Sequence, residues 1–232
     1  MSGRSPRLIS VKRGTPIGSL AVGATVKLNV NSTPWEFLIV HQGLPSTLYD
    51  ASCDGAWLLM KGIYENRARD SSGSSAYATS TVNTYLNSPF LGLFDSDIQS
   101  AIKQVKIPYC IGGGSSTVNS GASGLPAKIF LLGSYEVGWS TSDSRDFPVD
   151  GAKLAYFTSG TGTSANNKRI ANFGGSAVIW WLRSSRVGYS EYARCVFSDG
   201  SYASRKPSVS IGIRPAFILP SDFIVTDDML AA

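Results

Sequence analysis

The chain is poor in the groups that carry out chemistry. Among its 232 residues there is one histidine, His41, and charged side chains make up only 16%. General-base work needs an orienting partner, so a lone His beside Gln42 and Gly43, at the end of an apolar stretch, reads as structural or solvent-facing. No His-Glu-x-x-His, Gly-x-Ser-x-Gly or paired-cysteine zinc pattern occurs, which argues against metal and triad catalysis. The three cysteines, Cys53, Cys110 and Cys195, are an odd number at wide spacing and build no disulfide framework. Three free thiols, two of them buried, are expected. The carboxylates of Asp50, Asp54, Asp143, Asp146 and Asp150 read as turn caps rather than as a glycosidase pair.

Long apolar runs are also missing. No stretch reaches the roughly 18 residues that a membrane helix needs, and no signal-peptide core follows the basic N-terminus. The expectation is a chain made in the cytoplasm, without membrane insertion. The net charge is +5, but the 21 Lys and Arg residues are scattered and never run longer than two, so no nucleic-acid partner is expected. The Gly/Ser tract between Ile111 and Gly124 lacks a following Gly-Lys-Ser/Thr and reads as a surface loop, not a phosphate cradle.

What is present is a core-forming composition, 43% hydrophobic with 24 glycines, in which strand should exceed helix. Thr25 to Val30 alternates apolar with polar, and Trp35 to Val40 continues after an Asn-Ser-Thr-Pro turn, so a hairpin is expected. Ala56 to Met60 suits a buried strand, and a polar loop follows from Asn66 to Ala78. Thr79 or Ser80 caps a short helix ended by Pro89. Asp95 or Ser96 caps a better one carrying Ile98, Ala101, Ile102 and Val105. Further strands are expected at 128–132, 178–183, 193–198 and 213–219, with a helix or turn at 166–173. The pattern fits residues 1–20 as a basic arm, 21–222 as one α+β domain of short, mostly antiparallel strands and short helices, and 223–232 as a tail.

Between Trp180-Trp181-Leu182-Arg183-Ser184 and Gly212-Ile213-Arg214-Pro215-Ala216-Phe217 lies a polar, aromatic segment unlike either end. Arg186, Tyr189, Glu191, Tyr192, Arg194, Asp199, Tyr202, Arg205 and Lys206 cannot all be buried without partners. Asp199-Gly200 marks a hairpin inside it. Tyr, Arg, Ser and Gly together are the composition of binding surfaces, so segment 184–210 reads as a display surface on a scaffold.

These two motifs, with Ala193, Val196 and Asp199-Gly200 between them, resemble the C-type-lectin-like variable proteins of prophages and gut bacteria. Thr33-Pro34-Trp35-Glu36-Phe37, Tyr64-Glu65-Asn66, Ile129-Phe130-Leu131-Leu132, Tyr135-Glu136-Val137-Gly138 and Lys168-Arg169-Ile170 agree, over roughly residues 17 to 220. The resemblance implies a C-type lectin-like fold. It also implies that the two motifs are scaffold and that the positions between them vary, in several members through a diversity-generating retroelement with adenine-specific errors. Carried over by position, the variable ligand-binding set is Arg186, Val187, Tyr189, Glu191, Tyr192, Arg194, Phe197, Asp199, Tyr202, Ser204, Arg205 and Ser208. Two features depart from the family: Ser185 stands where Pro is frequent, and no Asn lies between Trp180 and Leu219.

No Glu-Pro-Asn triplet of a calcium-binding lectin occurs, so recognition without calcium, metal or cofactor is expected. The resemblance implies an adhesin or phage receptor-binding protein acting on a virion tail or bacterial surface. Its partners would be a cell-surface protein or glycan receptor, phage tail proteins, and sister copies, with a trimer compatible. A purely structural tail component is the alternative. A formylglycine-generating-type oxidase is disfavoured, because only Cys195 lies in the C-terminal region where those enzymes need a cysteine pair.

Overall fold

The computed structural model describes residues 14–230. Most of the expected arm, with Arg4, Arg7, Lys12 and Arg13, lies outside the described residues.

The alternating segments form strands, and ten of these build two five-stranded sheets. They are β1 (Thr25–Val30), β2 (Thr33–Gln42), β3 (Ala56–Met60), β4 (Glu65–Ala68), β5 (Ile129–Phe130), β6 (Trp180–Ser185), β7 (Ala193–Val196), β8 (Tyr202–Arg205), β9 (Ser210–Ile213) and β10 (Ala216–Leu219). The first sheet has the order β5-β10-β3-β2-β1 and the second β8-β7-β6-β9-β4. Only β6 and β9 pair in parallel, through Trp180 and Gly212. The expected first hairpin forms, but its loop is only Asn31-Ser32, both with left-handed backbone (φ 51 and 59). Two such residues make the turn whose twist matches the strands, and Thr33 and Pro34 already belong to β2.

The segment 213–219 is not one strand. It breaks at Arg214-Pro215 and passes from the second sheet to the first. The buried Arg214 guanidinium holds this crossing, donating from Nε to the Met60 carbonyl at 2.8 Å and from Nη2 to that of Lys61 at 3.1 Å. The Met60 amide in turn donates to the Pro215 carbonyl. The core is packed with aromatic rings: Phe37, Phe94 and Phe217 lie with centroids 5.2–6.0 Å apart, and Trp57, Trp180 and Trp181 are fully buried.

Helix is scarcer than the sequence suggested. The chain is mostly strand, 17% helical, with neither large sheet closed into a barrel. The expected α+β class with a C-type lectin-like fold is therefore corrected to a mostly β architecture of several small sheets. The helices are short for local reasons. α1 (Thr81–Tyr85) is capped by Ser80, whose hydroxyl accepts from the Asn83 amide. Pro89 does not end this segment but sits inside the turn that continues it. α2 (Ser96–Ala101) stops because Ile102 turns extended, and Val105, expected on the helical face, instead pairs with Ala127 in a small ribbon. α3 (Thr163–Asn167) is equally brief.

Both ends of the described chain join the body. Thr15–Pro16 pairs antiparallel with Ile224–Val225, and Ile17 and Val225 are buried. Residues 14–20 and 223–225 thus continue the packed body rather than project from it.

Candidate ligand-binding surface

Segment 186–208 grows from an enclosed strand. All six residues of β6 are buried. Arg183, wholly enclosed, forms a two-pronged pair with Glu136, Nη1 to Oε2 at 2.5 Å and Nη2 to Oε1 at 2.6 Å, and adds the carbonyls of Pro108, Leu131 and Asp150. Glu136 also accepts from the Gly133 amide and the Tyr49 hydroxyl, so the buried pair is satisfied on both sides. The Glu136 and Asp150 charges hold the Arg183 guanidinium protonated against the cost of burial. Arg69 donates to the carbonyls of Leu182, Arg183 and Ser75. Ser184 donates to Asp150 at 2.7 Å, and Ser185 donates to the Ser75 carbonyl at 2.6 Å.

Beyond Ser185 the chain leaves the sheet in a tight loop, with the Arg186 amide donating to Tyr192 O and the Tyr192 amide to Tyr189 O. Three other loops support it. The Val187 amide donates to Asp146 O, the Gly188 amide to Gly114 O, and the Ser75 hydroxyl to Ser190 O. Gly112, Gly113 and Gly114 all have positive φ, and a Cβ on Gly114 would press on the Tyr189 and Ser190 amides at 3.1–3.2 Å. The Gly/Ser tract therefore underlies the 186–192 loop, a placement that local sequence patterning does not reveal.

The sequence-predicted residues do not form one face. Across the β7–β8 hairpin Arg194 is opposite Ser204, and Val196 opposite Tyr202. Side chains alternate along a strand, so Arg194, Tyr202 and Ser204 share one face. Arg205 belongs to the other, where its guanidinium lies 5.6 Å from the Phe197 ring. On the first face Arg186 stacks on Tyr189 at 3.6 Å, beside Tyr192. It also pairs with Asp146 at 2.9 Å. Tyr202 packs edge-on against Phe147 and Trp139. Glu191 is exposed and pairs with Lys206 at 3.0 Å. Asp199 works in the turn itself, accepting from the Ser201 amide and hydroxyl, which holds its carboxyl below the usual range. That turn has three residues, not two, closed by Gly200 at φ +81. Ser208 is exposed in the turn before β9, and Val187 is half-buried.

Arg194 is the exception: it is 3% exposed. Its guanidinium lies 4.3 Å from the Phe147 ring centre, and burial together with the neighbouring Arg186 charge lowers its pKa to about 10. Asp146 and Asp150 are not the turn caps expected from sequence. Asp146 is the shared acid of Arg186 and Arg194. Asp150 is wholly buried, and burial pushes its carboxyl up to about 6.

All three cysteines are buried and free, rather than two of them. Burial pushes Cys53 up to about 11 and Cys195 to about 12, and raises Cys110, so none is a thiolate near neutral pH. His41 accepts the Ala155 amide at Nδ1, and desolvation lowers its pKa. Among the described residues no cluster of His, Cys, Asp and Glu is arranged to hold a metal ion. Among the described residues no helix is long and apolar enough to cross a membrane.

A larger recess, about 600 Å³, lies elsewhere, between Trp35, Lys61, Tyr156, Asn172 and Arg214. None of the sequence-predicted residues lines it. Its buried polar atoms all have partners, and Arg214 spends its donors on backbone carbonyls. A smaller recess, about 330 Å³, lies beside Arg194, whose Nε and Nη2 are enclosed and without a hydrogen-bond partner, with Nη2 3.6 Å from the Asp146 carboxylate.

Residues 54–221 match a family described as Domain of unknown function (DUF6273), and the chain belongs to that family. The match takes in the second sheet, segment 184–210 and the Arg214 crossing, and leaves out β1 and β2. No curated protein and no solved structure matches the chain.

Proposed function

We propose that this protein is a recognition protein, with the surface built from the 186–192 loop and the β7–β8 hairpin as its ligand-binding region. One observation carries the reading. Of the four exposed large aromatic side chains among the described residues, three, Tyr189, Phe197 and Tyr202, fall within this one segment. The backbone beneath them is fixed by buried arginines that do not depend on them. Exposed aromatic and Arg side chains on a rigid support are what contact surfaces use, since little conformational entropy is lost when they bind.

The resemblance to retroelement-diversified variable proteins supports the same reading through its motifs, independently of fold class. Under it the protein acts on a virion tail or a bacterial surface, toward a cell-surface receptor, and multiple copies raise a modest single-site affinity by avidity.

Natural variation tests this. DNA encoding residues 180–219 is sequenced deeply from a population of the source. Substitutions at adenines in the codons of exposed residues such as Tyr189, Phe197 and Tyr202, with a nearby template copy and reverse transcriptase gene, are expected. A uniform segment without a template copy would transfer the surface to an assembly contact within a particle.

A further inference from the structure

Five arginines are buried among the described residues, and four of them have an acid acting on the guanidinium: Asp70 and Asp150 on Arg69, Asp143 on Arg169, Glu136 on Arg183, and Asp146 on Arg194. Arg214 has none. Burial lowers its pKa to about 10, and the one side chain that favours its charge is the Tyr156 phenol. Its hydrogen bonds run to the carbonyls of Met60, Lys61 and Arg169, which satisfy donors without cancelling the charge. An enclosed cation without a counter-charge is costly, and its field extends through the low-dielectric wall around it.

That wall belongs to the recess of about 600 Å³, which Arg214 and Tyr156 both line. The size is that of small-molecule pockets. Trp35, Leu38, Ile170 and Ala171 make much of the lining apolar, and Trp35 with Tyr156 supplies two aromatic rings. Cations accompany them. Lys61 lines the recess with its side chain 52% exposed, and Lys168 holds Nζ 4.5 Å from the centre of the Tyr156 ring. Lys61 also pairs with Glu36 at 2.8 Å, but an exposed pair of this kind is worth at most about 1 kcal/mol and leaves the ammonium open to a second carboxylate. Glu36 is the one acid of the lining, so the recess is electropositive.

We propose that this recess binds a small amphipathic anion, an apolar ring carrying one carboxylate. The ring lies against Trp35 and Tyr156, whose flat faces favour a ring over a flexible acyl chain. The exposed ammonium groups of Lys61 and Lys168 take the carboxylate. Arg214 does not touch it, because its guanidinium is enclosed and bonded to carbonyls; it contributes through its field. A cationic ligand would meet three positive charges against one acid, and a neutral one would leave Arg214 uncompensated. The site shares no residue with segment 184–210, so it stands or falls independently of the recognition surface.

The probe is naphthoate, compared with neutral naphthalenemethanol, cationic naphthylmethylammonium and the acyclic anion octanoate. Titrations of the isotope-labelled full chain are followed at the Trp35 indole N–H, since Trp35 is the one tryptophan of five that is not buried. Naphthoate is expected to shift that resonance and to bind about fivefold more tightly than the alcohol, the scale of one partly exposed ion pair. The ammonium compound is expected to bind most weakly. Lys61→Glu combined with Lys168→Glu is expected to remove the preference for naphthoate over the ammonium compound, while Lys206→Gln on the β7–β8 hairpin side leaves it unchanged. Should the double variant fail to fold, salt serves on the unaltered chain: the advantage of naphthoate over the alcohol is expected to shrink as ionic strength rises.

Equal binding of the three naphthalene compounds would overturn the site, as would a preference indifferent to both salt and the lysine pair. Shifts confined to residues 184–210, with Trp35 unmoved, would overturn its location. Octanoate binding as tightly as naphthoate would overturn the ring assignment.

Discussion

Arg194 and Asp150 show how burial changes what a charged residue does. Arg194 stands among residues expected on a display surface, but it is 3% exposed, with its guanidinium packed against Phe147 and tied to Ser204. Replacing it by Ala would therefore disturb packing as well as charge. Asp150 is charged at neutral pH at a cost, since burial has raised its carboxyl from 3.8 to about 6. A raised folded-state pKa means that the native state binds the proton more tightly than the unfolded one. The protonated carboxyl's contribution to stability is therefore fully present below about pH 3.8 and is lost as pH rises through 6. Asp150→Asn keeps an acceptor for Ser184 and removes the titration. Thermal melts of both proteins between pH 4 and 7 are expected to show the variant gaining on the wild type as pH rises, by up to roughly 3 kcal/mol at about 1.4 kcal/mol per pKa unit. A difference independent of pH would refute the assignment.

At the scale of elements, strand β6 is the part from which the 186–192 loop springs, and its central polar tie is Arg183 with Glu136. Both side chains are 0% exposed. Glu136→Gln leaves the guanidinium without its counter-charge, and chemical denaturation is expected to show a loss of about 3–5 kcal/mol. A loss below 1 kcal/mol would mean that the carbonyls around Arg183 suffice by themselves.

Much of the element layout is legible in the sequence. The β1–β2 hairpin, β3, β6, β7 and the Asp199-Gly200 turn follow from alternation, apolar runs and turn residues. The helices are shorter than their spacing predicts, because the helical pattern of Ile98, Ala101, Ile102 and Val105 continues past the point where Val105 finds a strand partner. Tertiary pairing overrides local pattern there. The division of 213–219 between two sheets was also hidden, although Pro215, which lacks an amide donor, marks where it occurs. Of the site, the aromatic and Arg composition was legible. Its two-faced register was not, nor were the contributions of Ser75, Gly114, Trp139, Asp146 and Phe147, which come from distant loops and leave no periodic trace.

On the scale of the whole molecule, two small sheets carry a dense core, and polar loops from three distant parts of the chain converge under one segment. Membership of the DUF6273 family covers this part of the molecule without assigning it a role. Residues 180–213 divide into buried positions that the fold requires and exposed positions that it leaves free for contact.

A scan of all single substitutions across 180–213, read by proteolytic resistance of the folded chain, tests that division directly. Trp181, Ser184, Ala193 and Cys195, all fully buried, are expected to tolerate little, with Trp181→Ala costing about 3–5 kcal/mol. Tyr189, Glu191, Phe197 and Ser208, all exposed, are expected to accept most residues within about 0.5 kcal/mol. Comparable loss of resistance in both groups would mean that the aromatic side chains serve the fold itself, and the recognition surface would have to be sought elsewhere on the molecule.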